Sequence, residues 1–250
     1  MKTIPFLAIL FALVYPLQSA EDLTCYELRT YHANEGKLEQ LHARFRDHTV
    51  ALFEKHGMTN LIYWVPVQNE DNLLIYLLGY PDKEARDASW KRFREDPEWK
   101  SVYQDSTQGG KLVEKVDSVF LEPTDYSPIK NLPNPEKSPF YEMRTYTTSE
   151  GKLDDLDARF RDHTVGLFEK HGITNLYYFH LSDGQQGTNN TLLYFISAPS
   201  EDARNASFKA FSEDPAWQAA RKASEANGRL LVKKGVKSVF LETTDYSPVR

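Results

Sequence analysis

The chain has 250 residues, 26% of them charged, and a formal net charge of −6. That length allows one large domain or two ordinary ones, and a hydrophobic content of 40% is enough to bury a core. The acidic balance argues against nucleic acid, whose phosphates need a basic footprint.

Residues 1–20 read as a secretory signal peptide. Lys2 gives a positive start, an apolar run follows from Ile4 to Tyr15, and small residues stand at Ser19 and Ala20. The run is shorter than the ~20 residues that cross a bilayer. The mature chain is therefore expected to be secreted or periplasmic, cut near Ala20, with no stable membrane insertion. Cys25 is the lone cysteine, so no internal disulfide is expected. Cys25–His32 alternates as a strand does. Lys37–His56 reads as a helix with Leu38, Leu41, Phe45, His48 and Leu52 on one face. Gly57 ends it, with Lys55 and His56 where the helix dipole favours positive charge. Asn60–Val67 and Leu73–Tyr80 are apolar runs joined as a hairpin and buried on both faces. Pro81–Arg94 is a second helix, Asp96-Pro97 starts a further helical piece, and Lys111–Leu121 is the last strand.

The same order then repeats. Tyr26–Tyr31 returns as Tyr141–Tyr146, Arg44–Val50 as Arg159–Val165, and Leu52–Gly57 as Leu167–Gly172. Thr124–Pro128 recurs as Thr244–Pro248. The second copy has an enlarged, turn-like loop near Ser182–Asn190, a place that tolerates insertion. The expected division is signal peptide 1–20, one domain over 24–128, a proline-rich linker over 129–138, and a second domain over 139–250.

A β-α-β-β-α-β order is the ferredoxin-like arrangement. It lays helices on one sheet face and leaves the other needing cover. The fold class expected is thus α+β, two tandem ferredoxin-like domains pairing as an intramolecular dimeric α/β barrel. Tethering lowers the entropic cost of that pairing. If Tyr26 and Leu28 face the helices, Glu27, Arg29 and Tyr31 face the barrel interior. Their charges would then pair across the interface.

His48 and His163 lie midway along an apolar helix stripe, so each is expected to be half-buried and aimed at the sheet. Such a histidine could act as a general base or orient a substrate. It could equally be a core residue bonded to a tyrosine hydroxyl. Arg46 and Arg161 flank the stripe and could hold a carboxylate at a pocket mouth, or form surface ion pairs. Trp64, Tyr76, Phe179 and Tyr194 are candidate walls of a substrate pocket. No metal spacing, phosphate loop or dinucleotide fingerprint occurs, so no metal or cofactor is expected. His48 and His56 stand about 12 Å apart along a helix, too far to share one ion.

Six runs together carry a family resemblance: Tyr26–Tyr31, Gly36-Lys37-Leu38, Arg44–Thr49, Leu52–Gly57, Asp96–Trp99 and Pro123–Pro128. They closely resemble the NIPSNAP family across 24–128 and 139–248. The resemblance implies the dimeric α/β-barrel superfamily. That group includes cofactor-independent oxygenases, small isomerases, decarboxylases and haem-binding enzymes. Animal members resemble mitochondrial proteins of vesicle traffic and mitophagy signalling, roles that the export signal here does not fit. Two functions follow as expectations. One is a small apolar or aromatic ligand held in helix–sheet pockets, with oxygenase- or isomerase-like chemistry. The other is a non-catalytic interaction module. Fold alone does not choose between them.

Overall fold

The computed structural model describes residues 23–129 and 139–249. The expected signal peptide and nearly all of the linker lie outside the described residues. The first copy runs β1 (Cys25–Ala33), α1 (Leu38–Arg44), a π-helical turn (Phe45–Thr49), α2 (Val50–Lys55), β2 (Thr59–Pro66), β3 (Leu73–Tyr80), α3 (Lys83–Glu95), α4 (Pro97–Ser106) and β4 (Val113–Pro123). The second repeats it: β5 (Phe140–Thr148), α5 (Leu153–Arg159), a π turn (Phe160–Thr164), α6 (Val165–Lys170), β6 (Thr174–Leu181), β7 (Thr191–Ala198), α7 (Glu201–Glu213), α8 (Pro215–Ser224) and β8 (Leu231–Thr243). Asp96 caps α4 by accepting from the Glu98 amide at 2.8 Å, and Pro97 takes the first helical position, where no amide hydrogen is needed.

All eight strands close into one barrel, in the order β1-β3-β2-β8-β5-β7-β6-β4. Two seams join the copies. Trp64–Pro66 pairs with Leu241–Thr243, and Leu121–Pro123 pairs with Phe179–Leu181. The inside is a filled core drawn from both copies, including Tyr26, Leu28, Trp64, Leu77, Tyr141, Phe179 and Phe195. Trp64 stacks on Phe195 with centroids 4.8 Å apart and planes 6° from parallel, and Tyr26 meets Phe179 at 5.0 Å. The helices lie outside, each set covering its own copy of the sheet.

The chain closes these seams with its repeated Thr-Asp-Tyr-Ser-Pro arms, each of which crosses to the other copy. Thr244 donates its amide to the Tyr63 carbonyl, and Thr124 to that of Tyr178, both at 3.0 Å. The Tyr63 amide donates to Ser247 Oγ at 3.1 Å and the Tyr178 amide to Ser127 Oγ at 2.9 Å. The enlarged loop also docks on the first copy. Gln185 accepts from the Phe120 amide at 2.9 Å and donates to its carbonyl at 2.7 Å, continuing the β4–β6 seam.

The strand parity is the reverse of the sequence expectation. Tyr26 and Leu28 point into the barrel, while Glu27, Arg29 and Tyr31 face the helices. The charges pair within their own copy, not across the interface. Glu27 is fully buried. It accepts from Arg86 at 2.7 and 2.8 Å, Arg29 at 2.5 Å, Trp90 Nε1 at 3.0 Å and Ser118 at 2.6 Å. The physical reason is that the barrel interior receives side chains from all eight strands and offers no water or counter-charge. The helix side supplies arginines whose guanidinium groups lie over aromatic rings, Arg29 over Trp90 at 4.3 Å and Arg86 over Phe120 at 4.9 Å. Glu142 repeats the arrangement with Arg144, Arg204 and Ser238.

Burial alone would raise the Glu27 carboxyl, but the Arg86 hydrogen bonds and the Arg29 charge outweigh it and hold it at about 2. A carboxylate depressed in the fold stabilises above its unfolded value and loses that stabilisation as pH falls toward its folded one. From the ordinary 4.5 down to about 2, this group's contribution is roughly 3 kcal/mol. The urea midpoint of the full chain should therefore fall steeply below about pH 5, and Glu27→Gln should flatten that limb while lowering stability at neutral pH. An unchanged acid limb in the variant would contradict the assignment.

Candidate functional site

The helical turn at residues 45–49 governs what faces the sheet. An α-helix would bring Phe45, His48 and Leu52 onto one face, but here one turn is widened to a π turn. The Val50 amide reaches back five residues to the Phe45 carbonyl. Thr49 Oγ1 donates to the Arg44 carbonyl at 3.1 Å, and Asn60 Nδ2 donates to the Val50 carbonyl at 3.0 Å. The second copy repeats all three contacts with Val165, Thr164 and Asn175.

The extra residue rotates everything after Phe45 by one position. Thr49 and Thr164 face the core, and His48 and His163 are exposed on the outer face. The expected half-buried histidine is thus corrected: the 3.6-residue period that placed it there does not hold across this turn. His48 borders a shallow groove between α1 and α4 with Asp47 and Asp105.

The other candidate residues are also scattered. Arg46 donates to Asp245 of the second copy's arm at 2.7 and 2.8 Å, and Arg161 to Asp125 at 2.8 and 2.7 Å. These exposed pairs sit at the copy–copy junction and leave neither arginine at a pocket mouth. Trp64 and Phe179 lie inside the filled barrel. Tyr76 and Tyr194 are buried under the helices, their hydroxyls accepting from Arg29 Nε at 3.0 Å and Arg144 Nε at 2.8 Å. Among the described residues no group of histidines, cysteines and carboxylates could hold a metal ion. No described helix is long and apolar enough to cross a membrane.

What the fold does bring together is one cavity per copy between the helices and the outer sheet face. In the first copy, Tyr31, Phe45, Phe53, Phe93, Trp99 and Tyr103 surround about 240 Å³. In the second, Tyr146, Phe160, Phe168, Phe208, Phe211 and Trp217 surround about 410 Å³. Each cavity contains the buried threonine of the π turn and a buried arginine, Arg44 or Arg159. These arginines are weakly satisfied. Arg44 makes one long hydrogen bond to Ser106 at 3.4 Å and lies over Trp99 at 5.3 Å. Arg159 does the same with Ser224 at 3.4 Å and Trp217 at 5.2 Å, and has Glu225 at 3.8 Å. The Nε–H of each is buried without a partner. Desolvation pushes both guanidinium groups below their ordinary value. A buried cation with spare donors is costly unless something anionic or strongly accepting meets it.

Sequence reasoning noted Arg44 and Arg159 only as part of a repeated run. The available signal was a cation inside the apolar stripe, three residues after Leu41 or Leu156, in both copies. With the π turn in place, exposed His48→Ala and His163→Ala should each change stability by less than about 0.5 kcal/mol, whereas Thr49→Val should cost about 1 kcal/mol by removing the buried hydroxyl's hydrogen bond to the Arg44 carbonyl. Urea denaturation measures both, and a large loss from His48→Ala would reject the outward placement.

A family model described as NIPSNAP matches residues 26–128 and 141–248. A search of curated proteins finds none that matches. Among solved structures, the chain is similar to an anthrone oxidase-like protein at 13% identity and TM-score 0.56, over 92% of this chain and 94% of that one. It is also similar to a candidate monooxygenase of Fusobacterium nucleatum at 11% identity and TM-score 0.55, over 88% and 92% of the two chains. A NIPSNAP domain protein of Burkholderia xenovorans is 23% identical and aligns over 42% of this chain and 98% of its own, at TM-score 0.37. The first two share this fold over most of their length, and at such identities the likeness is of fold alone.

Proposed function

The chain belongs to the NIPSNAP family, and from that premise we propose that each half is a ferredoxin-like unit that binds a small molecule in its helix–sheet cavity. The ligand would have an aromatic or apolar body and one anionic or strongly accepting group. The body would lie among Tyr31, Phe53 and Trp99, or Tyr146, Phe168 and Trp217. The acceptor would meet Arg44 or Arg159. The observation that carries this reading is the buried guanidinium with spare donors at an aromatic-lined cavity, repeated in both copies. The barrel interior is not the binding place, because its own aromatic side chains fill it.

Catalysis of the cofactor-independent oxygenase or isomerase kind would need a base beside the ligand. His48 and His163 lie on the outer helix face, away from these cavities, so the geometry supports binding more directly than turnover. Export remains part of this reading and rests on the Lys2–Ala20 pattern. N-terminal sequencing of the secreted or periplasmic protein should begin just after Ala20, and an intact Met1 on the mature protein would reject it.

Arg44→Met and Arg159→Met discriminate binding from mere structure. Replacing an underpaired buried cation by an apolar residue of similar length should leave the ligand-free melting temperature unchanged or raised. Stabilisation by 2-naphthoate, which folded binders gain through mass action, should fall with each substitution and vanish in the double variant. Strong destabilisation with ligand response retained would assign both arginines to structure.

A further inference from the structure

The two cavities differ in a way that their shared fold does not require. The first cavity is bordered by one cation, Arg44, and one carboxylate, Glu114. The second is bordered by Arg159, Arg221, Arg229, Lys233 and Lys234 against Glu225 alone. Granting the binding reading above, on which this inference rests, we propose that the second cavity takes an aromatic molecule carrying a dianionic head, of the phosphate monoester class.

Three observations converge. The first is the charge difference, in positions where the first copy has Tyr103 for Arg221 and Thr107 for Glu225. Glu225, 3.8 Å from Arg159 and 3.5 Å from Arg221, offsets only one of these five charges and leaves Arg229, Lys233 and Lys234 without it. The second is the backbone. β8 bulges where it passes β5: Tyr146 pairs with Val236 and Thr148 with Leu231, leaving residues 232–235 to bow outward. Lys234 there adopts φ +61°, a left-handed conformation that a lysine rarely takes. Gly235 allows the fold, since a Cβ would meet the Thr147 carbonyl oxygen at 2.6 Å. The corresponding step in β4 is small, from His32–Lys115 to Ala33–Val113. A bulge re-aims side chains, and this one sets Lys233 and Lys234 on the cavity rim. The third is room. The second cavity is the larger, and Phe208 lines it where the first copy has Trp90, which does not line its own cavity. Cations at one mouth attract a doubly charged head more strongly than a singly charged one, and a partly desolvated arginine beneath adds a directed donor set.

The test uses the full chain carrying Arg44→Met, so that only the second cavity reports. Isothermal titration at pH 8 compares 2-naphthyl phosphate, 2-naphthoate and 2-naphthol, which share one ring body and differ in head charge, with inorganic phosphate as control. The phosphate ester should bind at least about tenfold tighter than the carboxylate, and the alcohol weakest. The preference should shrink near pH 5, where the ester loses its second charge. Lys233→Ser/Lys234→Asn should abolish most of the preference, weakening the ester by a larger factor than the carboxylate and leaving the naphthol unchanged. Equal affinities for ester and carboxylate, or a preference that survives the double substitution, would overturn the dianion assignment and leave the binding reading standing. Inorganic phosphate binding as tightly as the ester would overturn the aromatic body and with it the ligand class. No binding by any of the three naphthyl compounds would overturn both.

Discussion

Neither copy can close its own sheet. Each contributes four strands whose outer edges, on β2 and β4 in one and β6 and β8 in the other, find hydrogen-bond partners only in the sister copy. An apolar inner face and two open edges are the liabilities that a barrel removes. Once the barrel closes, its interior fills with Trp64, Phe195, Tyr26 and Phe179, and no ligand space remains there. The aromatic-lined cavities lie instead on the outer sheet face under the helices. The exchanged arms follow from the same constraint, because each seam ends where the chain leaves one sheet and must anchor on the other.

Polar groups are organised by the same division. Every strand alternates between an apolar barrel side and a helix side, so a fully buried strand carboxylate has only the helix side available. Glu27 and Glu142 sit there in complete hydrogen-bond shells supplied by arginines and serines. Arg44 and Arg159, on the same layer, are not completed in this way. The contrast between a satisfied buried ion and an unsatisfied one within a single layer separates the structural charges from the functional candidates.

Duplication has kept the frame and changed one rim. The π turns, the glutamate networks and the crossing arms match between copies almost contact for contact. Apart from the enlarged Ser182–Asn190 loop, which docks on the first copy, three departures gather at the second cavity: the β8 bulge, the added lysines, and Phe208 in place of a tryptophan. The frame is constrained because each copy completes the other's sheet and clasps its helices. The cavity rim is constrained by neither seam, which leaves it free to diverge.

The sequence alone determined the repeat, the strand and helix order, the family and the pairing of the two halves as a barrel, because these rest on periodicity and on blocks such as Tyr26–Tyr31 recurring intact; that the barrel closes fully was decided by the structure. It also located the insertion at Ser182–Asn190. It misplaced His48, since a helical wheel assumes 3.6 residues per turn and nothing local in Phe45–Thr49 announces a π turn. Asn60, fifteen residues after Phe45, helps hold it open. It inverted Glu27 and Tyr26, because a strand shows which residues share a face but not which face is wet. That choice belongs to the tertiary structure: only when eight strands surround one dry volume does the energy of burying an unpaired carboxylate decide which side points in.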